Sequence, residues 1–409
     1  MENAAPKGVD GQKNKLRFSA FRNVIALGFV SLFTDVSSEM CFSILPQFIV
    51  TELGSTEAVL GLIEGSGEAT SYIFRMLSGF VSDKLRKRKL LVFIGYAASN
   101  IVKPFFSTAR TWIDALTIRL GDRIGKGIRT APRDALLSET APEKHMGGAF
   151  GVHRTLDQIG AIIGPVLAFL LIPLVGLRGI FWISFFPGVV ALIILMFFVK
   201  EKIAERREVK VLSNVRAVLR REFALLLFVV AVFSVGAFNF SFILLKASEL
   251  GASENVIPIV YAVINVTHTL MGIPAGLLSD RVGKEQVLML GYTIFFGTTL
   301  LCIMLEGNPL FAFLIAAVYG VYFGIIETVQ RALIPAYAPS GLRATAYGLY
   351  YLVVGVSFFA ANTAVGVLWT NVSMNTAFTY SLLTSIAAIV GMAAFIGSAK
   401  KKRRVPEPL

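Results

Sequence analysis

A chain of 409 residues that is 55% hydrophobic and 16% charged lies well below the ~25% charge of soluble domains. Its mean hydropathy of +0.69 excludes a water-soluble globule and a disordered polar chain. The net charge of +13, from 39 Lys+Arg against 26 Asp+Glu, sits mainly in tails and loops, which is a pattern of membrane topology and not of nucleic-acid binding.

Residues 1–20 are polar and lack the apolar core of a signal peptide, so a cytoplasmic tail without a cleaved presequence is expected. Six apolar stretches follow, at 21–50, 57–82, 90–109, 112–139, 146–173 and 179–199. A polar linker covers 200–222, six more stretches fall at 223–250, 254–280, 286–305, 309–337, 344–370 and 376–398, and a basic tail ends the chain at 399–409. Each stretch can cross ~30 Å of hydrocarbon at about 1.5 Å per residue. The expectation is an all-α polytopic membrane protein, with one six-helix bundle at 21–199 and another at 223–398. The basic clusters Lys84 to Lys89, Lys200 to Arg216 and Lys400 to Arg404 alternate with loops that hold little beyond Arg110 and Arg178. Both termini are therefore expected in the cytoplasm, with the chain in the cell membrane. The two cysteines, Cys41 and Cys302, lie far apart in apolar runs, so neither a disulfide framework nor a metal site is expected, and no cofactor.

Charge inside the spans carries the functional reading, because a centrally placed charge costs roughly 2.5–3.5 kcal/mol even on a lenient scale. In span one, Asp35 and Glu39 share a face one turn apart. Two like charges in a poorly solvated place repel, and a shared proton relieves the repulsion, which suits a proton carrier. Span two adds Glu64 and Glu68, again one turn apart, and Arg75. These four carboxyls are the candidate coupling groups. Span three holds Lys103, whose stem is expected to snorkel outward. Span four carries RLGDRIGKGIRTAPRD, in which Arg119, Arg123, Lys126 and Arg133 recur on one helical face, with Asp122 and Asp134 beside them. Asp35 lies roughly 20 Å from one end of its span and Arg119 about 10 Å from the other end of its own. Their depths nearly coincide, so ion pairs of Asp35 or Glu39 with Arg119 or Arg123 are expected. Span five supplies His153, Arg154 and Asp157, and span ten Glu327 and Arg331 at a spacing that favours self-neutralisation. The C-terminal spans otherwise offer Asn239, Lys246, His268 and aromatics such as Phe238, Phe240, Tyr322, Phe323 and Tyr350, which are expected to form an apolar wall. Arg119, Asp122, Arg123, Lys126, His153, Arg154, Asp157, Asn239 and Glu327 are the candidate substrate-cavity residues.

The two halves echo each other. Gly79-x-x-x-Asp83-Lys84 recurs as Gly276-x-x-x-Asp280-Arg281, 197 residues later, and Pro142 and Pro339, Ala149 and Ala346, and Ala135 and Ala332 keep the same interval. One offset held at separate places indicates a duplicated six-helix unit. The loop GFVSDKLRKR, with Gly79, Asp83, Lys84, Lys87 and Arg88, resembles the signature loop of the major facilitator superfamily, although Arg86 stands where that family has glycine. The second copy, GLLSDRVGKE, has Glu285 in place of the last cation. The resemblance covers essentially the whole chain and implies alternating access, with Gly79, Asp83, Lys84, Arg88, Arg133, Asp134, Asp280 and Arg281 as gating candidates. In span five, Gly151, Gly160, Gly164 and Pro165, followed by Ala168, match the helix-packing motif of the family's antiporters, which implies export and a likeness to its drug:proton antiporter-like branch. The expected function is proton-coupled export of a small amphiphile or organic anion by a monomer embedded in lipid. Uptake symport and metal or metal-chelate export on the same fold are the alternatives. No phosphate-binding loop of the G-x-x-x-x-G-K-[ST] type and no soluble catalytic domain is present, which disfavours an ATP-driven pump, and no enzyme activity is expected.

Overall fold

The computed structural model describes residues 8–85, 87–140, 146–201, 215–338 and 342–404. Arg86, Pro142, Pro339, residues 202–214 of the linker and 405–409 of the tail lie outside the described residues, as does the side chain of Asp83. The elements are α1 (Gly8–Phe42), α2 (Leu45–Gln47), α3 (Glu57–Leu85), α4 (Arg88–Val102), α5 (Trp112–Thr140), α6 (Met146–Ile183), α7 (Phe185–Phe198), α8 (Val215–Val218) and α9 (Arg221–Ser234). They continue as α10 (Phe240–Glu249), α11 (Ile257–Val282), α12 (Lys284–Met304), α13 (Leu310–Tyr337), α14 (Arg343–Asn371) and α15 (Met374–Arg404). A π-turn at Phe48–Glu52 completes the first span, and a 3-10 turn at Lys103–Thr108 completes the third. Among the described residues there is no strand.

Twelve transmembrane helices form two pseudo-symmetric six-helix bundles. Eight stretches are long and apolar enough to cross a membrane by composition alone. The others fall short for physical reasons. α3 and α5 carry the ions of the interior, α6 and α7 merge into one apolar stretch, and the seventh span is broken. The chain turns at Gly176, whose φ of +66° favours glycine.

The broken seventh span corrects the continuous helix expected at 223–250. α9 stops at Ser234 and α10 starts at Phe240. Asn239 caps α10, its Oδ1 accepting the Ser241 N–H at 3.0 Å, and a capping side chain of this kind favours a helix start over a helix interior. Lys103 is a second correction. It does not snorkel: it is fully buried, and its Nζ donates to Ser37 Oγ at 2.6 Å and Ser38 Oγ at 3.1 Å. Pro104 begins the tightened turn, and two hydroxyls of α1 replace water around the ammonium.

α6 packs on α1 through Gly160 and Gly164. A Cβ on Gly160 would meet Leu32 O at 2.3 Å, and one on Gly164 would meet Val36 O at 2.8 Å. Gly151, by contrast, faces open space. The two bundles meet where α3 lies along α14 and α6 against α11. At the end away from the start of α1, a Cβ on Gly61 would stand 2.1 Å from Asn362 O, and one on Gly366 would stand 2.4 Å from Glu57 O. Ala58 N–H donates to Thr370 Oγ1 at 2.9 Å at the same end. Backbone therefore touches backbone across the halves there.

Candidate functional site

The interior ions form two linked clusters. In the first, α5 and α3 face each other. Arg119 is fully buried, and its Nη2 donates to Glu64 Oε2 at 2.7 Å. Arg123 Nη1 pairs with Glu68 Oε1 at 3.0 Å. Asp122 accepts from Ser99 Oγ and stands 3.8 Å from Arg119 Nη1 and 3.6 Å from Arg123 Nε. Gly67 makes room: a Cβ there would meet Arg123 Cγ at 3.2 Å and Arg119 Cγ at 3.4 Å. The sequence Glu64-x-x-Gly67-Glu68 thus puts two carboxylates and a hollow on one face of α3, and the guanidinium stems fill the hollow.

This arrangement corrects the expected pairing of Arg119 and Arg123 with span one. α3 runs closer along α5 and supplies the carboxylates. α1 supplies an aromatic face instead, with the guanidinium carbons of Arg119 and Arg123 4.0 and 4.8 Å from the Phe42 ring centroid. Glu39 turns toward the other bundle and accepts from Tyr261 Oη at 2.5 Å. The Lys126 backbone carbonyl accepts from Thr130 Oγ1 at 2.6 Å, while its side chain makes no hydrogen bond or ion pair among the described residues. Buried Nε and Nη1 of Arg119 and Nε of Arg123 also lack hydrogen-bond partners. The centre therefore retains cationic donor capacity.

In the second cluster, Glu327 gathers three groups. Arg154 Nη2 lies at 2.6 Å, Arg331 Nη2 at 2.7 Å and His268 Nε2 at 2.7 Å. Arg154 also gives Nη1 to Asp157 Oδ2 at 2.9 Å, so one guanidinium ties the two bundles. Asp157 accepts from Ser31 Oγ at 2.7 Å. His153 is buried with Nε2 unpartnered. The self-neutralising pairs Arg154–Asp157 and Glu327–Arg331 both form, but neither is self-contained.

Further contacts cross the interface. Asn239 Nδ2 donates to Glu64 Oε2 at 3.3 Å, and Asn265 Nδ2 to Ala161 O at 2.9 Å. Gln158 and Thr269 are hydrogen-bonded at 2.8 Å. Tyr261, Asn265 and Thr269 were missed by the reading of charge alone. Their spacing of four along α11 is a polar stripe that a search for uncharged polar faces would have found. The expected aromatic wall is only partial. Phe238 and Tyr322 lie in the core of the C-terminal bundle, packed with Phe295 at 5.2 and 4.7 Å. Phe240 packs on Tyr261 at 4.4 Å and Phe323 on His268 at 4.8 Å.

The gating candidates are dispersed. Gly79 faces Ala131 of α5, and Arg133 pairs with its neighbour Asp134 at 2.9 Å. Lys84, Asp280 and Arg281 are exposed. Arg88 offers its backbone N–H to Glu201. Glu285, where the family has a cation, accepts from Tyr337 Oη. Among the described residues no three His, Cys, Asp or Glu side chains converge as a metal site would require.

The chain matches the family model of the Major Facilitator Superfamily over residues 27–245 and 224–409. It is 35% identical over 374 residues to an uncharacterised MFS-type transporter of Methanocaldococcus jannaschii, covering 89% of this chain and 92% of the relative. It is 26% identical over 291 residues to the multidrug resistance protein MdtG of Proteus mirabilis, covering 67% and 71% of the two chains. A mutant form of the nucleoside transporter NupG has the same fold, with a TM-score of 0.78 at 14% identity over 91% of this chain and 99% of the other. These are transporters, not enzymes, and this integral membrane chain belongs to the Major Facilitator Superfamily.

Proposed function

We propose that the chain is a proton-coupled exporter of a small amphiphile or organic anion. It works by alternating access, as a monomer in the cell membrane with both termini in the cytoplasm. The bundles at 21–199 and 223–398 are the bodies that rock, with the linker at 200–222 between them and the loops around Asp83 and Asp280 as gates. The observation that carries this reading is the cluster of buried ions at the junction of the halves. A bilayer-spanning body would place such charge in its interior only at a cost, unless the interior is a pathway.

The chemistry favours an anionic group on the substrate. The Lys126 side chain is uncommitted, and buried Arg119 and Arg123 atoms still lack acceptors. Phe42, Phe240 and Tyr261 offer an apolar and aromatic surround. The carboxyls Asp35, Glu39, Glu64 and Glu68 are the coupling groups. Export is supported by the span-five glycines and by likeness to a multidrug resistance protein.

The test is flux in proteoliposomes under an imposed pH gradient, with an aromatic carboxylate, an aromatic sulfonate and a cationic dye as probes. Proton-driven movement of at least one anionic probe against its gradient is expected, and Asp35→Asn should lower it to the leak rate of protein-free vesicles. Probe and protons moving in the same direction would indicate uptake symport. Undiminished proton-driven flux in Asp35→Asn would remove that residue from coupling.

A further inference from the structure

Spans one and seven are broken at matching positions. α1 ends at Phe42, and Phe42 plus the repeat interval of 197 falls on Asn239, the cap of α10. Pro46 stands at the start of α2 and has no N–H with which to continue the α1 ladder, which accounts for the first break. Interrupted spans at corresponding positions of two repeats mark the place where a transporter holds its cargo. α2 and α10 pack against each other across the halves, so the two restarted helices border one region. That region lies beyond Phe42, on the side away from the start of α1, and the Phe42 ring itself meets the guanidinium groups of Arg119 and Arg123.

The amides around these breaks divide into spent and unspent groups. Asn239 Oδ1 accepts from the N–H and the Oγ of Ser241, both at 3.0 Å, and its Nδ2 donates to Glu64 Oε2. Asn362 Oδ1 accepts from the Asn239 N–H at 2.9 Å, and its Nδ2 donates to Phe358 O at 2.7 Å. Gln47, at the end of α2, is 3% exposed, yet neither its Oε1 nor its Nε2 has a hydrogen-bond partner among the described residues. Each orphaned group costs about 1–3 kcal/mol, a cost that a leucine of similar volume would avoid. We propose that Gln47 is a specificity-determining residue that recognises an uncharged donor–acceptor group, such as a carboxamide, on the transported anion, an inference that rests on the organic-anion reading and deepens it. Gln47 is five residues beyond Phe42, or about 7 Å along the span at about 1.5 Å per residue. A cargo with its acid on the arginines therefore carries the neutral group roughly that far away. The two amides complement each other: Gln47 Nε2 donates to the cargo carbonyl, and the cargo N–H donates to Gln47 Oε1. A hydrocarbon group at the same place leaves both buried atoms unpaired and is rejected.

Three para-substituted benzoates test this on the full chain in lipid nanodiscs: the carboxamide, the isopropyl compound of nearly the same shape, and the methyl ester, which accepts but cannot donate. Titration calorimetry without a pH gradient gives their dissociation constants. The wild type should bind the carboxamide roughly ten-fold or more tightly than the isopropyl compound, with the ester between them. Gln47→Leu should reverse the order of the carboxamide and the isopropyl compound. Without ligand, its thermal midpoint should equal or exceed that of the wild type, because both orphaned groups are gone. Three probes bound alike by the wild type, or none bound, would overturn the proposal, as would a carboxamide preference that survives Gln47→Leu. A lowered midpoint in Gln47→Leu would also overturn it, since the amide would then be holding the fold together. Flux of the aromatic carboxylate and sulfonate probes under a pH gradient separates the two readings. If that flux is present while the carboxamide preference is absent or ignores Gln47, the proposed function stands and this inference falls.

Discussion

Arg119 is a charge with no solvent around it, sustained by Glu64 on one side and the face of Phe42 on the other. Removing one member of such a pair strands the other. Glu64→Gln should therefore lower stability by about 3–5 kcal/mol, visible as a fall in the thermal midpoint of the detergent-solubilised protein. Glu64→Gln combined with Arg119→Met should recover most of that loss, since no ion is then left alone. A double variant as unstable as the single would show that the pair is not the source. The sequence announced that these charges lie inside, because their spacing along spans two and four is explicit. It did not announce the partners. Which face of α3 meets α5 depends on helix rotation, and the decisive local feature, the hollow at Gly67, carries no charge to flag it.

At the scale of an element, prolines inside helices release carbonyls, and the fold uses them. Pro165 cannot donate to Ala161 O, and that oxygen accepts from Asn265 Nδ2 of α11 across the interface. Pro335 likewise frees Arg331 O, which accepts from Tyr347 Oη at 3.2 Å. Asn265→Ala should cost about 1 kcal/mol or somewhat more, because it leaves a buried carbonyl unsatisfied. In a Pro165→Ala background the restored N–H satisfies that carbonyl, so the same change should cost much less. A double-mutant cycle on unfolding free energies measures the difference, and strict additivity would mean the two residues act independently. Pro165 and its freed carbonyl were legible in the sequence, but the acceptor's partner was not, since it comes from a helix about a hundred residues away. The break in span seven was also hidden. Hydropathy averages over Val235 to Asn239, and only the capping character of Asn239 hinted at a new helix start.

For the whole molecule, the interval of 197 residues made the duplication visible, but a repeat predicts likeness and is silent on where the copies press together. That is decided by small residues that have no counterpart in the charge pattern. Gly61 of α3 and Gly366 of α14 bring backbone against backbone at the end remote from the start of α1. The atom that a new Cβ would strike at Gly61 is a main-chain oxygen, which cannot rotate away. Gly61→Ala should therefore separate the halves at that end and shift the molecule toward a conformation open there. Spin labels at Thr56 and Val372, both exposed at that end, should report a longer distance in Gly61→Ala than in the parent. Gly297→Ala, where a Cβ meets nothing within 4 Å, should leave the distance unchanged. The same displacement should slow transport, since a transporter that cannot close one end cannot complete its cycle. If Gly61→Ala folds normally and the distance stays at its parental value, then the approach of α3 and α14 is not what holds that end shut. The closing force would then lie in polar contacts such as the Ala58–Thr370 and Asn239–Glu64 bonds.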